Sequence, residues 1–336
     1  GPRFSRCITK SWQKQKQSYI MAYGIKYRLE FSDDLENGKK IEILKNNYDG
    51  TVNPIIGTDE PCVISWEGDD DFYNPIKGSQ CTLNFFVTDS VSYDDFYEAD
   101  EREYQVKIYY KDSSNNYQIY WIGWLVVDQF KEAITSTPYP ITLTAYDGIG
   151  TLDAYDMPLD TASASIQTAR YWITNCLNNL DLELDIYVSQ DIFIRNPGST
   201  LYSVYDTINI SPYTLQKDKY NINNAKFVLE QILKITNARI FQSFGRWYII
   251  NNSSYSAQSI KDASAVTAQS GTVPTGIRAA ETASLVANGT ELIKYVIYNY
   301  NGVYQSTITI DALKQVPSNL QPINNSLTKE YLRPLN

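Results

Sequence analysis

The chain is predicted to be mainly β (β+α): two β-barrel- or sandwich-like units with two short helices set between strands. Three observations predict it. Aromatic residues make up 13% of the chain, with 28 tyrosines, and such a load suits pleated, half-buried surfaces better than helix faces. Short runs with an apolar residue at every second position recur along the chain, separated by Gly-, Pro- and Asn-rich turns, which is the spacing of a barrel or sandwich. Two runs only, residues 165–180 and 224–235, carry the three-and-four repeat of an amphipathic helix. At 336 residues the chain has material for two or three domains with cores of their own.

Residues 1–21 read as a basic leader or tag. Positions 1–20 hold Arg3, Arg6, Lys10, Lys14 and Lys16 and no acid; with −9 overall and +5 there, the remainder carries −14. Strand patterning begins at Met21-Ala22-Tyr23, so Met21 reads as the natural start. An N-terminal β-barrel-like domain follows over residues 22–155. Tyr23, Ile25, Tyr27, Leu29 and Phe31 alternate with Gly24, Lys26, Arg28 and Glu30, the pattern of a half-buried strand. Asn37-Gly38 is a hairpin turn into Ile41–Leu44. Strands are expected at Cys62–Trp66, Gln80–Thr88, Gln105–Lys111 and Gln118–Asp128, with turn chemistry between them. Residues 92–102 read as a connecting helical turn that lays Phe96 and Tyr97 on the barrel.

The stretch Tyr120–Leu152 organises this domain. Trp121, Gly123, Leu125 and Val127 share one face of its first strand, and Ile122, Trp124 and Val126 share the other. Both sets are apolar, which predicts a strand covered on both sides. In the second strand Ile141, Leu143 and Ala145 alternate with Thr142, Thr144 and Tyr146, leaving one wetter face. Asp147-Gly148 then makes a tight turn, because Gly tolerates its backbone angles.

Residues 156–250 read as a helix–strand–helix–hairpin unit. In the first helix Ile166, Ala169, Ile173, Cys176 or Leu177, and Leu180 form one stripe, with Ser163 or Ser165 as cap. Leu184, Ile186 and Val188 face together in a strand at Leu182–Ser189, and 191–220 is a long surface loop or an excursion onto a neighbouring subunit. The second helix carries Val228, Leu229, Ile232 and Leu233, is capped by Asn223 or Asn224, and enters a hairpin, Arg239–Phe241 with Trp247–Ile250, turned at Phe244-Gly245. Residues 251–290 form a Ser/Ala/Thr-rich loop or linker. Over 291–316 a hairpin about a type I′ turn at Asn301-Gly302 completes the second β unit, and 317–336 is an extended tail.

Composition narrows the chemistry. Histidine is absent, which removes His-based triads, His metal ligands and titration near neutrality. Cys7, Cys62, Cys81 and Cys176 show no C-x-x-C spacing and read as free thiols of a reducing compartment; Cys62 and Cys81 both fall in expected strands, which leaves them able to be neighbours. Asp69, Asp70 and Asp71 lack the alternate spacing of a calcium loop and read as a solvated turn. No cofactor and no metal are expected. The acidic balance disfavours stable nucleic-acid binding, and no run approaches the length of a membrane span. The N-x-[ST] matches at Asn209, Asn251, Asn252, Asn288 and Asn324 read as chance. Tyr295, Tyr298, Tyr300 and Tyr304 form an exposed-patterned cluster suited to anchor an interface.

Two patches carry a resemblance. The first is Trp121-x-Gly123-Trp124-Leu125, a Pro138-Tyr139-Pro140 approach, and Ala145-Tyr146-Asp147-Gly148-Ile149-x-x-Leu152. The second is Val228-Leu229-x-x-Ile232-Leu233 followed by Ala238–Gln242, Gly245 and Trp247–Ile249. They resemble bacteriophage tail (baseplate) hub proteins of the type found in phages of Bacteroidetes hosts. The resemblance implies a structural virion protein, not an enzyme, that assembles as a homo-oligomer, a trimer or hexamer ring of paired barrels. It implies other tail proteins as partners, a place in the virion tail after assembly in the host cytoplasm, and a link to a distal spike, fibre or lysin. Trp121, Gly123, Trp124, Asp147, Gly148 and Trp247 are its structural motif residues. Two other classes compete: a glycan-binding or adhesin module, and a glycosidase using two carboxylates among Glu98, Asp128, Asp147 and Asp153.

Overall fold

The computed structural model describes residues 23–32, 38–67, 74–88, 91, 96, 102–112, 114–126, 136–157, 165–189, 203–218, 221–251, 286–287 and 290–311. The leader, Asn37, Asp69–Asp71, Tyr97, Glu98, Val127, Asp128, most of 251–290 and the tail beyond 311 lie outside them. The protein is mainly β, with two multi-stranded sheets.

The first sheet takes its strands from Tyr23–Ser32 (β1), Gly38–Asn46 (β2), Asn53–Pro54 (β3), Ile56–Trp66 (β4), Ser79–Val87 (β5), Tyr104–Lys111 (β6), Tyr117–Leu125 (β7) and Tyr139–Tyr146 (β8). Their order is β3-β1-β2-β6-β7-β8-β5-β4. Every pairing is antiparallel except β1 with β3. One face encloses a core of Tyr27, Ile43, Leu83, Phe85, Phe96, Tyr104, Val106, Trp121 and Leu143.

Two sequence expectations change here. The alternation from Tyr23 to Phe31 is broken by a β-bulge between Ile25 and Tyr27. The extra residue flips the following side chains, so Tyr27 and Leu29 face the first core while Tyr23 packs on the other side of the sheet, against Trp124. The expected barrel is also not closed. Asn53–Pro54 runs beside Tyr27–Arg28, Ile55 N–H donates to the Arg28 carbonyl at 2.9 Å, and Ile56–Gly57 then oppose Phe86–Phe85. The chain over 53–57 therefore passes from one edge of the sheet to the other, with no ladder between β3 and β4. Residues 58–61 then bulge out opposite Asn84, whose amide donates to the Glu60 carbonyl at 2.9 Å. Pro54 and Pro61 have no N–H to extend a ladder, and the bulge turns the edge away.

The second unit begins with a 3₁₀ turn at Ile149–Ala154, then Gln167–Thr168 (β9) and helix Ala169–Asn178 (α1). Asp185–Ser189 (β10), a single helical turn at Val204–Thr207 (α2) and Asn209–Ile210 (β11) follow, and β11 pairs with β9. Because 167–168 are extended, the helix starts later than its periodicity suggested: Thr168 is the cap, its hydroxyl accepting from Tyr171 N–H at 3.2 Å, and Ile166 is 65% exposed. Helix Ala225–Ile235 (α3) starts at Asn224, one of the two expected caps, whose side chain accepts from Phe227 N–H at 2.9 Å.

Ala238–Ser243 (β12), Arg246–Asn251 (β13), Val286–Ala287 (β14), Thr290–Tyr298 (β15) and Tyr304–Asp311 (β16) join β10 in the second sheet. Its path is β12-β13-β10-β15-β14, with β16 also on β15; β10 and β13 are parallel. One face, with Ile186, Val188, Ile240, Trp247, Ile249 and Val296, packs on α1 and α3. The opposite face, with Tyr187, Phe241, Tyr248, Ile250, Tyr295 and Ile297, is met by Trp66 of β4. The β15–β16 turn is not type I′: of its residues Gly302 has positive φ (72°) and Asn301 does not. Asn299 instead folds the loop on itself, its side chain accepting from the N–H groups of Asn301 and Val303.

Candidate functional site

Strand β7 is where the two units become one body. Its inward residues, Trp121 and Leu125, lie in the first core, and its outward residues, Ile122 and Trp124, lie in the core shared with the helices. The two-sided apolar pattern thus has a different unit behind each face. Gly123 is required between them: a Cβ there would sit inside contact distance of the Tyr146 carbonyl and the Trp121 ring.

Asp147 fixes the end of β8 to this strand. Its carboxylate accepts from Ser79 N–H at 2.8 Å, from the Ser79 hydroxyl at 2.6 Å and from Ile149 N–H at 3.0 Å. The Ser79 hydroxyl in turn accepts from Trp121 Nε1 at 2.8 Å. Asp147 is buried. Loss of hydration pushes its pKa up to about 7 against those three donors, with Glu67 adding to the rise. Next to it Gly148, at φ 79°, lets the chain turn under Trp124. Five of the six motif residues, Trp121, Gly123, Trp124, Asp147 and Gly148, therefore converge. Trp247 lies in the helix-side core, on β13.

The residue that joins the units falls within the second resemblance patch, where no spacing marks its role. Gln242 on β12 accepts from Ile122 N–H at 2.8 Å and donates to the Ile122 carbonyl at 2.8 Å. Among the described residues strand β8 is registered with β7 at Trp124 and Leu125, and Val126 N–H donates to the Thr144 carbonyl at 2.9 Å. Where β8 departs, the Gln242 amide and then Gly245 N–H, on the Tyr120 carbonyl at 3.0 Å, take its place. The Gln242 carbonyl also accepts from Trp66 Nε1 at 2.8 Å. On the other edge of β12, Ile240 bonds the backbone of Pro75 and Lys77 at 2.7 and 2.9 Å. The tight turn at Phe244-Gly245 (φ 46° and 62°) is braced by edge-on contacts of Phe244 with Tyr110 and Tyr120.

A second tie is Arg102, also unforeseen. Its guanidinium lies against the rings of Trp124 and Tyr155, pairs with Asp181, and donates to Tyr155 Oη and the Asn179 carbonyl. Within the second unit, Arg170 of α1 pairs with Asp206, donates to the Gly302 carbonyl, and lies over Tyr298.

The tyrosine cluster divides. Tyr295 and Tyr298 are buried, on opposite faces of β15: Tyr295 beside Tyr187 and Tyr248, Tyr298 donating to Asp206 and accepting from Ser203 N–H. A strand covered on both faces hides both residues, so the expectation of an exposed four-tyrosine surface is corrected. Tyr300 and Tyr304 are 37% and 40% exposed, and the Tyr304 ring meets Tyr298 edge-on.

Among the candidate acids, Asp147 is sealed from solvent and Asp153 is exposed, while Glu98 and Asp128 lie outside the described residues. Trp121, Trp124 and Trp247 are buried and present no stacking face for a sugar. Among the described residues no three Cys, Asp or Glu side chains gather as a metal site, and no helix is long and apolar enough to cross a membrane.

No protein-family model and no curated protein matches the chain. Among solved structures it is similar to the tail protein from Neisseria meningitidis MC58, at 8% identity and a TM-score of 0.32, over 62% of this chain and 49% of that one. It is also similar to the 43 kDa tail protein of prophage MuSo2 from Shewanella oneidensis, at 11% identity and a TM-score of 0.30, over 56% and 47%. The chain spans about half the length of these structures, and at these scores the likeness carries no argument about function.

Proposed function

We propose that this chain is a structural virion protein, a subunit of a phage tail, and more narrowly of the hub or baseplate of phages of Bacteroidetes hosts. Its copies assemble as a trimer or hexamer ring around the tail axis and connect the tail to a distal spike, fibre or lysin. It acts by assembly rather than catalysis, in the virion tail, after assembly in the host cytoplasm.

The observation that supports this reading most is the place of the residues that carry the sequence resemblance. Trp121, Gly123, Trp124, Asp147 and Gly148 gather at the junction of the two units, in contact with buried partners. A motif spent on joining two sheets into one body is what a load-transmitting ring subunit needs, whereas an enzyme or lectin motif would converge on an open cleft. The −14 charge beyond residue 20 fits a passage to which DNA does not adhere. The reading is tested by electron microscopy of intact phage particles labelled with antibody to the purified chain. Label at the distal end of the tail is the expected result. Label confined to the capsid, or absent from intact and tail-disrupted particles alike, contradicts it.

A further inference from the structure

Cys62 and Cys81 take part in none of the hydrogen bonds described above between the two units. Cys81, on β5, is buried in the first core; Cys62, on the edge strand β4, is half-buried at the margin of the same core. In the β4–β5 ladder Cys62 opposes Leu83 and Cys81 opposes Ile64, so the two cysteines are diagonal neighbours on the inward face. Their Sγ atoms are 3.5 Å apart.

We propose that Cys62 and Cys81 are an oxidisable dithiol, which a small-molecule disulfide converts into a cross-strand disulfide between β4 and β5. Cys62 is the accessible member and makes the first attack. Its thiolate displaces one thiolate from the reagent and leaves a mixed disulfide on Cys62. Cys81 then loses its proton and attacks the Cys62 sulfur, expelling the second reagent thiolate. Two protein thiols are oxidised and one reagent disulfide is reduced to two thiols. The burial that pushes the Cys81 thiol up makes it the slower nucleophile, which suits the resolving role.

The sulfurs must close by roughly 1.5 Å to reach disulfide length. The strand that has to move lies at an edge of its sheet. β4 has β5 as its ladder partner, and that ladder is interrupted over residues 58–61, immediately before Cys62. The bond would fasten this edge where its ladder resumes. It would also stiffen the approach to Ile64 and Trp66, which reach the second sheet. The inference does not depend on the tail assignment.

The test treats the full folded chain with excess oxidised glutathione, then alkylates the remaining thiols in denaturant and maps the peptides. Two of the four cysteines should escape alkylation, the chain should lose the mass of two hydrogens, and the peptides bearing Cys62 and Cys81 should be linked. Cys62→Ser should abolish the link, and Cys176→Ser should leave it unchanged. Oxidation after unfolding should lose this selectivity. Four alkylatable thiols, a retained glutathione adduct on Cys62, or a link through Cys7 or Cys176 would overturn the proposal.

Discussion

Gln242 and Ile122, 120 positions apart, are joined by two hydrogen bonds of 2.8 Å, one in each direction. A side-chain amide here does the work of a β-strand neighbour, closing the backbone of β7 where β8 has turned away. Gln242→Ala is expected to leave the buried N–H and C=O of Ile122 without partners and to cost on the order of 2–5 kcal/mol. Gln242→Glu puts a carboxyl at the same fully buried position. Ionised, it faces the Ile122 carbonyl with a charge in place of a donor, so it should cost at least as much as Gln242→Ala near pH 8 and less at low pH, where its protonated form donates again. Urea unfolding of the three proteins checks the ranking; equal midpoints would remove Gln242 from the account.

Gly123→Ala forces a methyl group onto the Tyr146 carbonyl and the Trp121 ring. We expect destabilisation of about 1–3 kcal/mol or more. Gly148→Ala is milder in space, with Trp124 Cδ1 at 3.3 Å from the new carbon, but strained at φ 79°, adding about 1–2 kcal/mol. Thermal melts of both variants, beside the open position Gly150→Ala as control, check these values.

Asp147 ties stability to pH. Its folded pKa of about 7 lies above its usual 3.8 because burial disfavours the charge. The folded state therefore binds more protons between those values, and stability falls as pH rises. The contribution of Asp147 is complete below its unfolded pKa and lost as pH climbs through about 7. Denaturant unfolding from pH 4 to pH 8 should show this fall, and Asp147→Asn should flatten it. An unchanged slope in the variant would place the titration elsewhere.

Tyr298 and Tyr304 separate folding from association. Tyr298→Phe removes the hydroxyl held by Asp206 and Ser203, and should destabilise by about 1–3 kcal/mol. Tyr300→Ala and Tyr304→Ala, at exposed positions, should change the melting temperature little and weaken self-association. Sedimentation velocity alongside melting curves separates the two effects.

Much of the fold is legible in residue patterns, because period and cap chemistry are local. The two-sided face of Trp121–Leu125, the Asn224 cap and the Phe244-Gly245 turn are each set by a few adjacent residues. The bulge between Ile25 and Tyr27 is not legible, since one inserted residue leaves the alternation intact on paper while rotating half the strand. The exposure of Tyr295 and Tyr298 fails for a related reason: whether a strand is covered once or twice depends on elements far away in sequence. Gln242 and Arg102 are long-range partners of backbone groups and rings, and no nearby spacing marks such a residue. Asp147 reads as a turn former, yet its role follows from Ser79, 68 positions earlier.

The central claim is that the chain works by assembling with copies of itself. Light scattering of the purified protein over a wide concentration range tests it most directly. The account predicts a trimer or hexamer mass that persists on dilution. A strict monomer with fully folded spectra at every concentration would contradict it.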